Sequence, residues 1–224
     1  MTLARATGVI LAKELRTEFR SRELLGTTVV FVLIVVVLFS FTFNPTSVES
    51  RRFGPGLLWL AFLFAGSLML QSSFLREQTN DTLAALRLAP IDPFSILAGK
   101  MAANFLFLLL VEVMLLPVFA VLYNVAILPV LAPLLLVLAL GTIGIAATGT
   151  VFSAVAAQAR LRELLLPLLL LPVLAPVLIA STEATIGILR DPYELSVVWL
   201  TFLACFDVVF LTAAWMVGEY LLEE

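Results

Sequence analysis

Two acids stand deep in apolar sequence, Glu112 in LLLVEVMLL and Asp207 in LACFDVVFL. A carboxylate at mid-bilayer costs about 2.5–3.5 kcal/mol on insertion scales, so each should face the protein interior or carry a proton. Two roles are open for each: a substrate or proton site, or a neutral acid bonded to a neighbouring helix. Most other chemistry is missing. The chain has no histidine, which removes the commonest metal and haem ligand and the usual proton shuttle near neutral pH. Cys205 is the single cysteine, so no intrachain disulfide is possible. Gly99-Lys100 is followed by Met101, and Phe94 stands where a nucleotide-binding loop needs its first glycine. There is no HExxH, CxxC or GxSxG, and the serines and threonines lack a histidine base. The chain is expected to be no enzyme by itself and to hold no metal or cofactor. Any energy that drives it must come from a partner.

The elements that position the two acids are membrane spans. Of all residues 62% are hydrophobic and 13% charged, against about 25% charged in soluble domains; mean hydropathy is +1.13. That leaves too little polar surface to cover a water-soluble globule, and a net charge of −3 gives no reason to expect nucleic acid. Crossing about 30 Å of hydrocarbon takes about 20 helical residues. Six stretches qualify, at about Leu24–Phe43, Pro55–Leu75, Met101–Tyr123, Leu128–Ala156, Leu164–Ser181 and Val197–Gly218. Only Asn124 marks a turn between the third and fourth. The fold class is all-α and integral to the membrane, one transmembrane domain over residues 1–224. The first apolar run is longer than a signal-peptide core and lacks an A-x-A site after it, so it is expected to stay as an anchor.

Loop charges set the orientation. With the N-terminus inside, the inner segments carry Arg5, Lys13, Arg16, Arg20, Arg22, Arg76, Arg87, Lys100, Arg160 and Arg162, and the outer ones only Arg51, Arg52 and Arg190. Both termini are therefore expected to be cytoplasmic. Before the first span, residues 3–22 read as an interfacial helix. Ala4, Leu11, Ala12, Leu15 and Phe19 share one face, and Lys13, Arg16 and Arg20 the other. Arg22 and Glu23 close this elbow. The bland alternative is a simple basic flank.

The longest polar interruption is Leu75–Lys100. Asp81 is placed to cap a short helix over 82–88, and Pro90 to stop it. Leu83 and Leu86 fall on one face, with Arg87 elsewhere. A short stiff helix between two spans suits the passing of motion to and from a soluble partner; an ordinary amphipathic surface turn is the other reading. Asp92-Pro93 reads as a cap and first helical turn, and Lys100 as a side chain that snorkels to the headgroups. The fourth span carries a thin face of Thr142, Ala146, Gly149, Ser153 and Ala156, fit to pack inside the subunit or against a second copy. Arg160, Arg162 and Glu163 form a short inner loop. Pro167, Pro172 and Pro176 follow in the fifth span, either as tolerated kinks or as a hinge. Thr182–Ser196 reads as an outer loop, and Cys205 as a small packed residue.

An elbow helix, six spans, cytoplasmic ends and a coupling-type helix together resemble the membrane subunit of exporter-type (ABC-2-like) ABC transporters. The stretches KELRTEFRSRELL (13–25), LAPIDPFSILAGKMAANFLFLLLVEVMLLPVF (88–119) and LGTIGIAATGTVFSAVAAQARLRELLLPLLLLPVLAPVLIA (140–180) resemble the CcmB family, the haem exporter protein B permeases of bacterial cytochrome c maturation. That resemblance implies an inner-membrane subunit paired with the ATP-hydrolysing CcmA, in a complex with CcmC and CcmD. ATP use would release the haem chaperone CcmE, with haem as cargo of the complex and ATP on the partner. The resemblance matches Arg20, Arg22 and Glu23 to the family's elbow and Asp81, Leu83, Leu86 and Pro90 to its coupling loop. It also matches Lys100, Glu112 and Pro117 to its third span. The family loop often carries a glycine and a glutamate where this chain reads Asp81-Thr82-Leu83-Ala84. Lack of histidine favours mechanical transmission over passage of haem through this chain. Competing functions are an exporter permease for lipid or drug, and an ion- or proton-coupled carrier using Glu112 and Asp207.

Overall fold

A computed structural model describes residues 2–42, 48–79, 92–157, 162–190 and 193–223. Seven long helices dominate them: α1 (Leu3–Ser21), α2 (Glu23–Thr42), α3 (Val48–Thr79), α4 (Pro93–Leu122), α5 (Leu131–Ala157), α6 (Arg162–Ile188) and α7 (Val197–Glu223). No strand occurs among the described residues. Helices α2 to α7 each contain a stretch long and apolar enough to cross a membrane. The chain is an all-α integral membrane protein.

The sequence explains most of the joints. Arg22 takes the left-handed conformation (φ 54°) between α1 and α2, and its N–H bonds Glu18 O at 2.7 Å, so one helix stops and the next starts at once. Asp92 caps α4 by accepting from Phe94 N at 2.8 Å, with Pro93 in the first turn, where its missing N–H costs nothing. Asn124 turns the chain between α4 and α5 at φ 49°, a conformation asparagine tolerates. Three expected boundaries shift. The third candidate span starts at Pro93 rather than Met101, because the Asp92 cap begins a continuous helix there. The helix of the second span, α3, starts at Val48 rather than Pro55 and carries Pro55 inside it. Residues 182–188, read as loop, continue α6, since Thr185 returns its hydroxyl proton to Ser181 O at 2.7 Å and needs no water.

α5 is the hub, packing on α3, α4, α6 and α7. Its small residues make this possible. A side chain at Gly149 would strike Leu70 of α3, and one at Gly141 would strike the fully buried Trp59. Ser153 donates to Leu70 O at 2.5 Å. The thin face of α5 therefore packs inside the chain. Trp59 also donates from Nε1 to Thr185 Oγ1 at 3.0 Å, joining α3 to α6. The faces of α2 and α7 are the least covered of the six spans, and Cys205 lies exposed on α7, not in packing as expected.

Candidate functional site

α1 is seated on α4 rather than lying free. Its covered stripe is Ala6, Ile10, Glu14 and Glu18, each one turn from the last: Ala6, Ile10 and Glu18 are buried and the Glu14 side chain is 16% exposed. The apolar residues of the sequence reading lie beside this stripe rather than on it. Ala4 and Ala12 are exposed, Leu11 and Leu15 flank the stripe half-buried, and Phe19 is 53% exposed, with an edge-on contact to Phe107. The physical reason is that two of the four stripe positions are acids, which turn the apolar moment away from the face that packs. Arg16, Arg20, Arg22 and Glu23 are exposed. Arg20 lies in the last turn of α1 and Glu23 in the first turn of α2, where each favours the local helix dipole.

Both stripe acids have defined partners. Glu18 Oε1 accepts from Leu25 N at 2.8 Å, capping α2 from the helix before it. Glu14 Oε1 accepts from Lys100 Nζ at 2.9 Å, and from Lys13 Nζ at 3.3 Å. Lys100 is fully buried and donates a second bond to Ser73 O of α3 at 2.7 Å. Snorkelling is thus overturned: α1 covers Lys100 and supplies its counter-ion. Gly99 is what lets α1 come so close, because a Cβ there would lie 2.6 Å from Ile10 Cβ. Burial alone would raise the Glu14 carboxyl, but Lys100 and then Lys13 hold it below the usual carboxylate value. Asn104, one turn further along α4, donates to Thr150 Oγ1 of α5 at 3.0 Å, and approaches Ser73 Oγ at 3.5 Å.

The two intramembrane acids lie apart from this junction. Glu112 is buried in α4, and Oε2 accepts from Thr142 Oγ1 of α5 at 2.6 Å. Thr142 Oγ1 also lies 2.6 Å from Leu138 O. A hydroxyl has one proton, so Thr142 can donate in only one of these two contacts at a time. Glu112 Oε1 has no partner among the described residues. Asp207 is buried on α7 with neither oxygen bonded among them; a Cβ on Gly144 of α5 would lie 3.0 Å from Asp207 Oδ1. Positions 142 and 144 are about 200° apart around α5, so the two acids meet it from nearly opposite sides. A cavity of about 490 Å³ lined by Pro55, Tyr123, Arg190 and Tyr193 contains neither acid.

Other expected site residues fall differently. Asp81, Leu83, Leu86, Arg87, Pro90 and Arg160 lie outside the described residues. Arg162 and Glu163 open α6, which continues through Pro167, Pro172 and Pro176; Pro117 lies inside α4. Sequence reasoning missed Glu14 and Glu18 altogether. Their one signal was the four-residue spacing with Ala6 and Ile10.

Comparison with known proteins adds the following. The family described as "CcmB protein" matches residues 5–217. Curated relatives named heme exporter protein B include that of Pseudomonas aeruginosa, 32% identical over 161 residues, 72% of either chain. That of Rhodobacter capsulatus is 33% identical over 160 residues, 71% of this chain and 73% of the relative. That of Escherichia coli K12 is 29% identical over 97 residues, 43% of this chain and 44% of the relative.

Proposed function

The chain belongs to the CcmB protein family, and from that membership we propose that it is the permease subunit of a haem-exporter-type ABC complex in the bacterial inner membrane. The observation that carries this reading is a family match running across all six candidate spans, from residue 5 to 217. Relatives bearing the name heme exporter protein B support it. In this reading the chain is no enzyme and holds no cofactor. An ATP-hydrolysing subunit, CcmA, does the work, with CcmC and CcmD in the complex and CcmE as the haem chaperone released. Haem is cargo of the complex. The excess of arginine and lysine on the segments flanking α1, α3 and α4 supports cytoplasmic termini.

Motion enters, on this proposal, through residues 81–90, the segment strung between α3 and α4. In the sequence reading Leu83 and Leu86 offer an apolar face to the ATP-hydrolysing partner, with Asp81 and Pro90 setting the ends and Arg87 on another face. A carrier built on Glu112 and Asp207 would need the two acids to share a path. Their approach to α5 from opposite sides favours a separate packing role for each.

The test is Leu86→Asp in the complex reconstituted with its ATP-hydrolysing subunit. The variant should remain folded in the membrane, and ATP-linked release of the haem chaperone should fail. Unchanged release would end the reading. Glu112→Gln with Asp207→Asn separates the carrier, which would lose transport, from the permease, which would keep ATP-linked activity.

A further inference from the structure

Lys100 sits where three helices meet. Its ammonium reaches Glu14 of α1 at 2.9 Å and the carbonyl of Ser73 in α3 at 2.7 Å, from a stem rooted in α4. The side chain is fully buried although it carries a charge. Charged groups are almost never buried without paired partners, and here both partners come from other helices. One residue before it, Gly99 admits Ile10 of α1 at a distance no other residue type would allow. One α1 turn further, Glu18 holds the start of α2.

The location of this knot matters. Ser73 lies six residues before the last residue of α3 (Thr79), and Lys100 seven residues after the first residue of α4 (Pro93). At about 1.5 Å per residue, the knot is about 10 Å from either end of the segment that joins them. A displacement applied to that segment therefore reaches the Lys100 crosslink before the α4–α5 bond of Asn104 and well before Glu112.

We infer that Lys100 is the positioning residue of the motion: with Glu14 and Ser73 O it makes α1 and the adjoining ends of α3 and α4 one rigid body. Displacement of the 80–91 segment then swings α1, and through the Glu18 cap α2, against the rest of the bundle. This deepens the permease reading and rests on it. Compared with apolar side chains in the same places, the ion pair fixes placement rather than adding stability. Replacing a buried pair with apolar side chains is often neutral or stabilising, so the two roles can be separated by experiment.

The experiment uses the complex in lipid, with Cys205→Ser and paired spin labels on exposed positions. One pair joins α1 to α4 (Arg20→Cys with Leu106→Cys), and the other joins α1 to α7 (Arg20→Cys with Met216→Cys). In the otherwise unmodified protein, nucleotide should leave the α1–α4 distance narrow and unchanged while the α1–α7 distance shifts. In Glu14→Leu with Lys100→Met, thermal stability should be kept or raised, yet the α1–α4 distribution should broaden and the nucleotide-driven α1–α7 shift be lost. Lys100→Met alone should give the same loss. A narrow α1–α4 distance with an intact α1–α7 shift in the paired variant would overturn the inference and leave the permease reading standing. If nucleotide moves neither pair in the unmodified protein, the inference is likewise overturned; if Leu86→Asp leaves ATP-linked release of the chaperone intact, the permease reading itself fails.

Discussion

Gly141 is the most exposing test of the helix packing. A Cβ built there would lie 2.6 Å from Trp59 Cζ3 and 2.7 Å from Ser181 Oγ, where carbon atoms in contact prefer about 3.5–4.0 Å. In Gly141→Ala the indole must retreat by about 1 Å. It cannot do so freely, because Trp59 is fully buried and its Nε1–H is held by Thr185 Oγ1 at 3.0 Å. Forcing volume into a packed core costs about 1–3 kcal/mol, and a stretched hydrogen bond adds about 0.5–1.5 kcal/mol. Alanine returns about 1 kcal/mol through its helix propensity. The net loss is about 0.5–3.5 kcal/mol. Gly26→Ala supplies the control, since a Cβ there meets nothing within 4 Å; it should gain up to about 1 kcal/mol.

The assay is thermal unfolding of the two variants side by side in one detergent. With the full control gain the gap between them is about 1.5–4.5 kcal/mol, which corresponds to a difference in Tm of about 3–18 °C for a chain of this size. A second substitution, Trp59→Leu, should remove most of the penalty, so that the two changes together cost less than their sum. Equal Tm values for Gly141→Ala and Gly26→Ala would refute the close approach of α3, α5 and α6. Because Thr142 is the next residue, such a result would also undo the placement of Glu112 against α5.

Two further outcomes follow from the α1 junction. Glu18→Ala should cost about 1 kcal/mol in thermal unfolding by removing the cap on Leu25 N, whereas Glu18→Gln, which still offers an oxygen, should cost less. The Glu14 carboxyl is held below its ordinary value of 4.5, so the stability it contributes is complete above that pH and is lost as pH falls through the lower, folded-state value. Thermal unfolding followed downward from pH 5 should show an acid limb that Glu14→Gln lacks; an identical limb in that variant would separate the acid sensitivity from this pair.

What the sequence made legible was set by hydropathy and by local signals. Long apolar runs identify six spans because a bilayer demands about 20 such residues in succession. Asp92-Pro93 and Asn124 mark joints because their effects are confined to one turn of chain. Lys100 was illegible for the opposite reason: its partners lie 86 and 27 residues away, and nothing local distinguishes a snorkelling lysine from a covered one. The packed stripe of α1 was not legible because an apolar moment weighs Glu14 and Glu18 as solvent-facing, whereas each is covered and bonded to another helix. The end of α6 was misread because Thr182, Glu183 and Thr185 lower hydropathy without breaking the helix.

Buried polar groups in this protein divide by what they join. Lys100, Glu14 and Glu18 join elements near the α1 junction: Lys100 ties α4 to Glu14 of α1 and to Ser73 of α3, and Glu18 ties α1 to the start of α2. Glu112 and Asp207 each face α5 at one position, and of the two Glu112 alone has a hydrogen bond among the described residues, from Thr142. An interior that needed only adhesion would be served better by apolar side chains, since a buried pair seldom gains on its desolvation. Small residues already give α5 close packing on three sides. The charge at Lys100 therefore adds what close packing of smooth apolar faces does not, a fixed register of α1 along α3 and α4. If α1 moves as a unit, as proposed above, it needs that register more than it needs the stability.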